Sequence, residues 1–325
     1  MSEIESFVLG SAPTLNRIEV AEQAGVPIEI ATELWRLLGF PQAEDDDIAF
    51  TESDVTALRL SSELMNLGIL SPDSQAALVR TWARSFARLA EWETGLLAGI
   101  APQGKSPEEG LLALTQEVLP RVEQLQTYIW RRHLASATTQ LLATEDAGDA
   151  GVQLAICFVD IVGYTSRSKD LDEADLVSWI EHFENEVIGT VVDHGGQVIK
   201  TIGDEVLFVH DDPRQGAEIG LLLTARGEDE QDSFPSVRAG VAYGTVVRRL
   251  GDVFGPTVNI AARLTSLARP GTVIADQGTH DLLCADHADA ATKADDLVFR
   301  RLRRTSVKGY SRLDSWVVRR VSRAG

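Results

Sequence analysis

The feature that most constrains the fold is a change of residue pattern near position 150. Before it, apolar residues recur at the spacing of amphipathic helices over long stretches. After it, short apolar runs rich in valine and isoleucine alternate with longer amphipathic segments. This change predicts an all-α domain over residues 1–145, including a connecting helix and a linker, and an α+β domain over residues 146–325.

The order of the segments after position 150 indicates the architecture of the second domain. A βαββαβ order predicts a ferredoxin-like α+β sandwich rather than a purely parallel sheet. The expected elements are a strand (152–160), a helix (171–196), a hairpin (197–210), a helix (213–226), a strand (237–247), a helix from about Pro256, a strand (272–276) and two last strands within 298–320.

Composition and charge exclude several classes of protein. The chain has 325 residues, 44% of them hydrophobic, and a net charge of −19, of which residues 1–150 carry −13. Such an acidic chain repels polyphosphate backbones, so general nucleic-acid binding is disfavoured. The start is acidic and no run of about 18 apolar residues exists, so we expect neither a secretory signal nor a membrane span. The two cysteines, of which Cys157 is expected in the core, also favour the cytoplasm.

Two aspartates stand at predicted strand ends. Asp160 ends the apolar run that begins at residue 152, and Asp204 lies at the tight turn of the predicted hairpin. Carboxylate oxygens are the ligands that Mg²⁺ and Mn²⁺ prefer, so the pair is a candidate metal site. The loop IVGYTS after Asp160 offers backbone N–H groups to a phosphate. The competing interpretation is structural, because aspartate beside glycine is a common turn former.

A third stretch, GDVFGPTVNIAARL, carries side chains suited to a nucleotide. Asn259 and Arg263 are four residues apart on a predicted helix, so they share one face and suit a ribose and a phosphate. Asp252 precedes a glycine-containing loop, and Lys200 lies four residues before Asp204. A lysine donor and an aspartate acceptor together can read the Watson–Crick edge of adenine. If Asn259 and Arg263 are considered alone, the alternative to a nucleotide contact is that they lie on a helix face exposed to solvent.

The blocks FVDIVGYT, KTIGDEVLF and GDVFGPTVNIAARL resemble the three motif blocks of the class III nucleotidyl cyclases, particularly the adenylyl cyclases. The similarity covers roughly residues 150–318, and three ordered motifs are far more specific than one Gly-Asp-Glu. The resemblance implies cyclisation of ATP to 3′,5′-cyclic AMP with release of pyrophosphate. It also implies a two-fold homodimer with shared active sites, in which the metal-binding aspartates of one subunit face the nucleotide-binding residues of the other.

The resemblance also implies a role for each matching position. Two Mg²⁺ or Mn²⁺ ions per site would be held by Asp160, Ile161 and Asp204. Asn259 would orient the ribose, and Arg263 would stabilise the phosphate in the transition state. The implied substrate-binding positions are Lys200, Asp252, Lys308, Ile161, Val162, Gly163, Tyr164 and Thr165.

Three other functions compete with this interpretation. Guanylyl cyclases resemble the same scaffold but carry other residues at the positions of Lys200 and Asp252. A degenerate cyclase fold would only sense a nucleotide, which the intact set of site residues argues against. Thr245 is the nearest match to a position where some members carry an arginine, which puts one extra phosphate contact in doubt but none of the six principal positions. The segment RIEVAEQAGVPIEIATELWRLLGF resembles a MerR-type helix-turn-helix of a transcriptional regulator, but its acidic surroundings disfavour DNA binding.

Residues 1–145 contain no catalytic constellation and resemble the helical regulatory domain ahead of the cyclase in some actinobacterial enzymes. Regulation needs an element with two states, and the segment YIWRRHLASATTQLL with the linker after it is the candidate. His133 beside two arginines is a candidate pH sensor, because imidazole titrates near neutral pH; an exposed histidine without a role is the alternative. We expect this domain to restrain the cyclase until pH or an apolar small molecule releases it.

Overall fold

The structure is a computed structural model that describes residues 3–41, 43–68, 72–100, 107–143, 151–229, 231–284, 293–294, 296–302, 305–307 and 310–321. It divides into an amino-terminal unit, Met1–Thr144, and a carboxyl-terminal unit, Glu145–Gly325. The boundary expected from the sequence, between residues 145 and 146, lies one residue after this division.

The amino-terminal unit is helical in its described ranges, apart from an isolated β-bridge between Leu15 and Phe50. Its helices are α1 (Glu3–Val8), α2 (Arg17–Ala24), α3 (Ile28–Leu38), α4 (Glu52–Asn66), α5 (Pro72–Ile100) and α6 (Pro107–Ala143). The core includes Val20 of α2, Leu58 of α4 and Val79 near the start of α5. The prediction of an all-α part is therefore confirmed.

Local signals in the sequence explain where these helices begin and end. Asn16 caps α2 by accepting a hydrogen bond from the N–H of Glu19 at 2.9 Å, and Glu19 accepts in return from the N–H of Asn16 at 2.9 Å. Gly39 ends α3 with a φ of 76°, in the left-handed region that favours glycine. Within the described ranges, no helix is both long and apolar enough to cross a bilayer.

The carboxyl-terminal unit is built on a mixed sheet with helices packed on both faces. The strand order is β2-β3-β1-β4-β6-β11-β8-β7, with β5 paired to β4 and a separate β10-β9 pair. The strands are β1 (Val152–Ile161), β2 (Gln197–Ile202), β3 (Glu205–His210), β4 (Val237–Arg249), β5 (Asp252–Phe254), β6 (Val273–Asp276), β7 (Lys293–Ala294), β8 (Leu297–Arg301), β9 (Thr305–Val307), β10 (Tyr310–Leu313) and β11 (Ser315–Arg320). The helices are α7 (Tyr164–Arg167), α8 (Glu173–Asp193), α9 (Pro213–Arg226), α10 (Pro256–Leu267) and α11 (Gln277–Cys284).

The βαββαβ prediction is confirmed by the order β1-α8-β2-β3-α9-β4. These four strands lie in the order β2-β3-β1-β4, and each neighbouring pair is antiparallel. The hairpin expected over residues 197–210 is present, with Gly203 at a φ of 66° in its turn. The expected strand at 272–276 is β6, which pairs parallel with β4.

Strand β1 has an apolar core on each of its faces. Ala155, Cys157 and Val159 belong to one buried cluster, whereas Ile156 and Phe158 belong to another. This alternation explains the unbroken apolar run in the sequence, because both faces of the strand are covered. Cys157 is a buried core residue as expected, and burial raises the pKa of its thiol.

The carboxyl-terminal end of the chain was predicted incorrectly. Two strands were expected within 298–320, but the described residues from Leu297 to Arg320 form four. Strands β8 and β11 join the main sheet, whereas β9 and β10 pair with each other. The sequence pattern merged these strands because only one to three residues separate each from the next. Helices α7 and α11 were not predicted either, since they have only 4 and 8 residues.

Candidate functional site

The candidate site lies on one face of the sheet, where β1, β3 and β4 run side by side. Asp160 of β1 stands opposite Glu205 of β3 on one side and opposite Arg238 of β4 on the other. Because side chains alternate along a strand, all three project to the face of Phe158, whose buried cluster includes Ala261 of α10. Helix α10 therefore covers the face that carries the carboxylates.

The two aspartates predicted to bind metal are brought to the same end of β1. Asp204 lies in the turn between β2 and β3, and its carbonyl oxygen accepts from the N–H of Ile161 at 3.1 Å. The side chain of Asp204 lies close enough to Asp160 to raise the pKa of its carboxyl. The expected convergence of the two strand-end carboxylates is therefore present in the structure.

Arg238, which the sequence analysis did not identify, binds Asp160 directly. Its Nε donates to Oδ2 of Asp160 at 2.6 Å, and its Nη2 lies 2.5 Å from the same oxygen. The Asp160 side chain is 14% exposed and that of Arg238 is 32% exposed, so the ion pair is only partly screened by water. Arg238 Nη1 also donates to the carbonyl of Ser266 in α10 at 3.4 Å.

The cluster carries more negative than positive groups, and the pKa values of two of its carboxyls are raised. Burial raises the pKa of Asp160, an effect that Arg238 opposes and that Asp204 reinforces. The pKa of Glu205 is raised to about 7, first by burial and then by the charges of Asp160 and Asp204. Three carboxylates thus share one guanidinium, and an additional cation would be favoured there.

The loop after Asp160 has only some of its backbone amides available. The N–H of Ile161 donates to Asp204, and the N–H of Val162 donates to the carbonyl of Ser236 at 2.9 Å. Gly163, with a φ of 74°, begins the short helix α7. The amides of Gly163, Tyr164 and Thr165 are therefore the candidates for a phosphate contact, and those of Ile161 and Val162 are not.

Lys200 and Asp252 are 52 positions apart in the sequence but form an ion pair. Lys200 Nζ lies 2.5 Å from Asp252 Oδ2. Their side chains are 42% and 28% exposed, so a ligand can reach both. The pair depends on β5, which begins at Asp252 and folds back along β4. The structure therefore places this predicted donor and acceptor side by side.

Helix α10 positions Asn259 and Arg263 through close contact with β4. A Cβ on Gly240 of β4 would lie 2.4 Å from the backbone nitrogen of Thr265 in α10, so only glycine permits this approach. At the start of the helix, Thr257 Oγ1 donates to the carbonyl of Thr245 at 3.0 Å. Asn259 is exposed and Arg263 is half-buried, one helical turn apart on the same helix.

The residues of the candidate site fall into separate groups within one chain. No hydrogen bond in the described ranges joins Asp160 or Asp204 to the Lys200–Asp252 pair, or to Asn259 and Arg263 on α10. The residue predicted to hold the terminal phosphates, Lys308, lies outside the described residues. Thr245, at the position where some cyclases carry an arginine, accepts a hydrogen bond from Gln153 Nε2 at 2.8 Å.

The donor set suits Mg²⁺ or Mn²⁺ bound together with a phosphate ligand. Within the described ranges, no group of three or more His, Cys, Asp or Glu side chains is arranged to hold a metal ion by itself. Mg²⁺ is commonly bound by one or two carboxylates plus the phosphates of a substrate, rather than by a cage made only of protein. Two aspartates in a cluster with excess negative charge therefore fit such an ion.

Comparison with known proteins agrees with the motif blocks. Residues 150–319 match the family model described as the adenylate and guanylate cyclase catalytic domain. An adenylate cyclase of Glutamicibacter nicotianae is 37% identical over 306 residues, which cover 88% of this chain and 76% of that protein. An adenylate cyclase of Streptomyces coelicolor is 36% identical over 281 residues, which cover 84% of this chain and 72% of that protein.

Among solved structures, an adenylyl cyclase from P. aeruginosa aligns with 53% of this chain and 95% of its own, at 21% identity and a TM-score of 0.43. The family assignment rests on the matched model and on the sequence relatives, which extend well beyond the catalytic part. The chain belongs to the adenylate and guanylate cyclase family.

Proposed function

We propose that the chain is an adenylyl cyclase, which converts ATP to 3′,5′-cyclic AMP and pyrophosphate. The observation that carries the proposal is the Lys200–Asp252 pair, a donor and an acceptor 2.5 Å apart and accessible to a ligand. Adenine presents an acceptor at N1 and a donor at its amino group, which this pair complements. The two relatives described above are both named adenylate cyclases.

The reaction is an in-line attack by the ribose 3′-hydroxyl on the α-phosphate, with pyrophosphate as the leaving group. Positioning and charge stabilisation supply most of the catalysis in such transfers. Asn259 orients the ribose, and the guanidinium of Arg263 places a fixed positive charge at the phosphate. Lys308 holds the terminal phosphates. The amides of residues 163–165 are the backbone donors to the triphosphate.

Asp160 and Asp204, with the backbone of Ile161, would hold two Mg²⁺ or Mn²⁺ ions. When bound, these ions lower the pKa of the attacking hydroxyl and neutralise charge on the triphosphate. Arg238 donates to one oxygen of Asp160 and opposes the rise in the pKa of that carboxyl that burial and Asp204 cause.

The active unit is a homodimer with shared sites, and an apolar rim beside the base-reading pair supports this arrangement. Ile202 on β2 is 48% exposed, and Val247, Leu250 and Phe254 around the β4–β5 turn are 57%, 53% and 50% exposed. Contiguous apolar side chains in water are a feature of protein interfaces. A second copy docking here would bring its aspartates to the adenine-binding residues of the first.

The amino-terminal unit regulates the cyclase through α6 and the linker that follows it. His133 lies exposed on α6, directly after Arg131 and Arg132, and is the candidate pH sensor. Changing His133 to glutamine in the full chain tests this part of the proposal. A pH–activity profile over pH 5–8 that the substitution leaves unchanged would exclude His133 as the pH sensor.

The central experiment assays the purified full chain with ATP and with GTP, each with Mg²⁺ or Mn²⁺. We expect cyclic AMP to form from ATP, and turnover with GTP to be at least tenfold lower. Preference for GTP would identify a guanylyl cyclase instead. Binding of ATP with no product under either metal would identify a nucleotide sensor on a degenerate cyclase fold.

A further inference from the structure

The hairpin formed by β4 and β5 closes with a pair of opposite charges. Strand β4 ends at Arg249, strand β5 begins at Asp252, and the two residues stand directly opposite each other in the antiparallel ladder. Leu250 and Gly251, which connect them, have φ angles of 54° and 77°. A two-residue turn with both φ angles positive matches the twist of a hairpin, so the turn fixes this alignment.

The Arg249 side chain lies beside Asp252 without binding it. Residues directly opposite each other in an antiparallel pair share one face, with Cβ atoms about 4.5–5.5 Å apart. Arg249 is exposed, and within the described ranges its guanidinium makes no ion pair. An arginine that served only to close the hairpin would bind the carboxylate next to it. The guanidinium of Arg249 is therefore available to a ligand.

Asp252 is already held by two other groups. Its Oδ2 lies 2.5 Å from Nζ of Lys200, and its Oδ1 accepts from the N–H of Val253 at 2.9 Å. These contacts orient the carboxylate and compensate its charge, which explains why Arg249 is not drawn to it. The hairpin end thus carries one cation more than its carboxylate uses.

The strand order places the three charged groups in a row. Strand β5 pairs with β4 on one side and also lies in contact with β2. Lys200 reaches Asp252 from β2, whereas Arg249 stands opposite Asp252 on β4. The side chains therefore follow the order Lys200, Asp252, Arg249, which is the order donor, acceptor, donor.

This row complements one edge of adenine. Along that edge, adenine presents an acceptor at N1, a donor at its amino group and an acceptor at N7. In the proposed contact, N1 faces Lys200 and the amino group faces Asp252, so N7 is the next polar atom on the side of Arg249. Guanine carries an N–H at N1 and an acceptor at O6, so it matches the row only at N7.

We infer that Arg249 is a third base-reading residue, whose guanidinium donates a hydrogen bond to N7 of adenine. The inference rests on the proposed function, because it assumes that Lys200 and Asp252 read the base. A guanidinium suits this place, since one of its N–H groups can reach N7 while another points toward the Asp252 carboxylate. The contact is equally strong in the ground state and in the transition state, so it acts on KM more than on kcat.

The test compares ATP with 7-deaza-ATP, in which a C–H group replaces N7. We expect the wild-type chain to use 7-deaza-ATP with a kcat/KM about tenfold lower than that for ATP, mainly through a higher KM. Arg249→Gln should lower kcat/KM for ATP about tenfold and leave that for 7-deaza-ATP nearly unchanged. Arg249→Lys keeps a cationic donor and should retain part of the difference. A wild type that does not distinguish the two nucleotides, or an Arg249→Gln chain impaired equally with both, overturns the inference.

Arg248→Gln is the matched control, because it removes the same charge one residue away. Successive side chains point to opposite faces of a strand, and Arg248 stands opposite Val253 rather than Asp252. Its Nη2 donates to Oε1 of Gln197 at a long 3.4 Å. We expect Arg248→Gln to prefer ATP over 7-deaza-ATP by the same factor as the wild type. Loss of the preference in this control would mean that the charge of the hairpin end, and not a contact with N7, favours ATP.

Equilibrium binding tests the same contact without turnover. The nucleotides 2′,3′-dideoxy-ATP and 7-deaza-2′,3′-dideoxy-ATP lack the attacking hydroxyl, so calorimetry of the full chain with Mn²⁺ gives a Kd for each. We expect the wild type to bind the 7-deaza form about tenfold more weakly, and Arg249→Gln to bind both forms equally. Equal Kd values for the two nucleotides in the wild type contradict the inference.

The outcome is separable from that of the proposed catalytic function. If no cyclic AMP forms but the calorimetric difference depends on Arg249, the contact with N7 stands and the catalytic proposal fails. Asp252→Asn reports separately on the base-reading pair. If that change lowers the preference for ATP over GTP while Arg249→Gln keeps the preference for ATP over 7-deaza-ATP, only the role of Arg249 is disproved.

Discussion

Arg238 and Asp160 face each other across neighbouring antiparallel strands, with Arg238 Nε and Nη2 at 2.6 and 2.5 Å from the same carboxylate oxygen. The ion pair therefore compensates one carboxylate of an acidic cluster and leaves part of it available to a divalent cation. A metal ion that binds there competes with the guanidinium of Arg238 for the carboxylate of Asp160.

Replacing Arg238 with glutamine should make the chain depend on metal for stability. Without the guanidinium, three neighbouring carboxylates repel one another, so we expect the metal-free chain to lose about 2–4 kcal/mol. Added Mn²⁺ should then raise Tm more in the variant than in the wild type. Thermal unfolding with chelator and with Mn²⁺ measures both effects. The control is Arg319→Gln, which changes an exposed arginine on β11. If Mn²⁺ raised Tm equally in all three proteins, Arg238 would not compete with the metal ion for Asp160.

Glu205 predicts a pH dependence of stability near neutrality. Its pKa in the folded chain is raised from 4.5 to about 7, so folding favours the protonated form. The stabilisation that this gives is complete below about pH 4.5 and is lost as the pH rises through 7. In chelator, Glu205→Gln should therefore become more stable than the wild type above pH 7 by about 2 kcal/mol, after allowance for solvent screening. Denaturant titrations at pH 5 and pH 8 check this, and parallel curves for both proteins would refute it.

Asp252→Asn should weaken discrimination between nucleotides more than it weakens binding of the triphosphate. The change removes the acceptor charge beside Lys200 but leaves Asn259, Arg263 and the carboxylate cluster in place. We expect the ratio of kcat/KM for ATP over GTP to fall about 10- to 100-fold. Asp170→Asn, on an exposed loop, serves as control. An unchanged ratio would show that the pair does not read the base.

Mixing of two inactive chains tests whether sites are shared. Asp204→Ala removes a proposed metal ligand, and Arg263→Ala removes the proposed phosphate contact, so we expect each homodimer to be inactive. In a mixed dimer, one of the two sites combines both intact sets. A 1:1 mixture should regain about a quarter of wild-type activity if subunits exchange freely. Continued inactivity after verified exchange would mean that each site is built within one chain.

Gly240→Ala should disturb catalysis through the position of α10. The added Cβ would lie 2.4 Å from Thr265 N and 2.5 Å from Ala261 O, so the helix has to shift. We expect a loss of about 1–3 kcal/mol in stability and a lower kcat with Arg263 displaced. Gly189→Ala on α8 is the matched control, because nothing lies within 4 Å of its Cβ. A Gly240→Ala enzyme with wild-type kcat would contradict the positioning role of this contact.

The parts of the site that short-range patterns determine were predictable from the sequence. The apolar run ending at Asp160 and the Gly203 turn before Glu205 indicated a strand and a hairpin, and both are present. The resemblance to adenylyl cyclases paired Lys200 with Asp252, and the structure joins them. The assignment of these residues to catalytic roles stays a prediction, as does the cytoplasmic location.

The parts that depend on strand register were not predictable. Arg238 acts on Asp160 only because β4 pairs with β1 in one particular alignment, which no local pattern encodes. The raised pKa of Glu205 depends equally on burial and on neighbours distant in sequence. Tertiary contacts likewise determine that the N–H groups of Ile161 and Val162 donate to protein carbonyls.

The two cores that enclose β1 have a consequence for how activity can be controlled. A strand packed on both sides cannot slide or tilt without opening one of them, so the position of Asp160 is fixed whenever the unit is folded. An inhibitory signal that acted by distorting this strand would have to unfold the enzyme. In the proposed homodimer, we therefore expect switching to move two intact catalytic units as rigid bodies into or out of alignment.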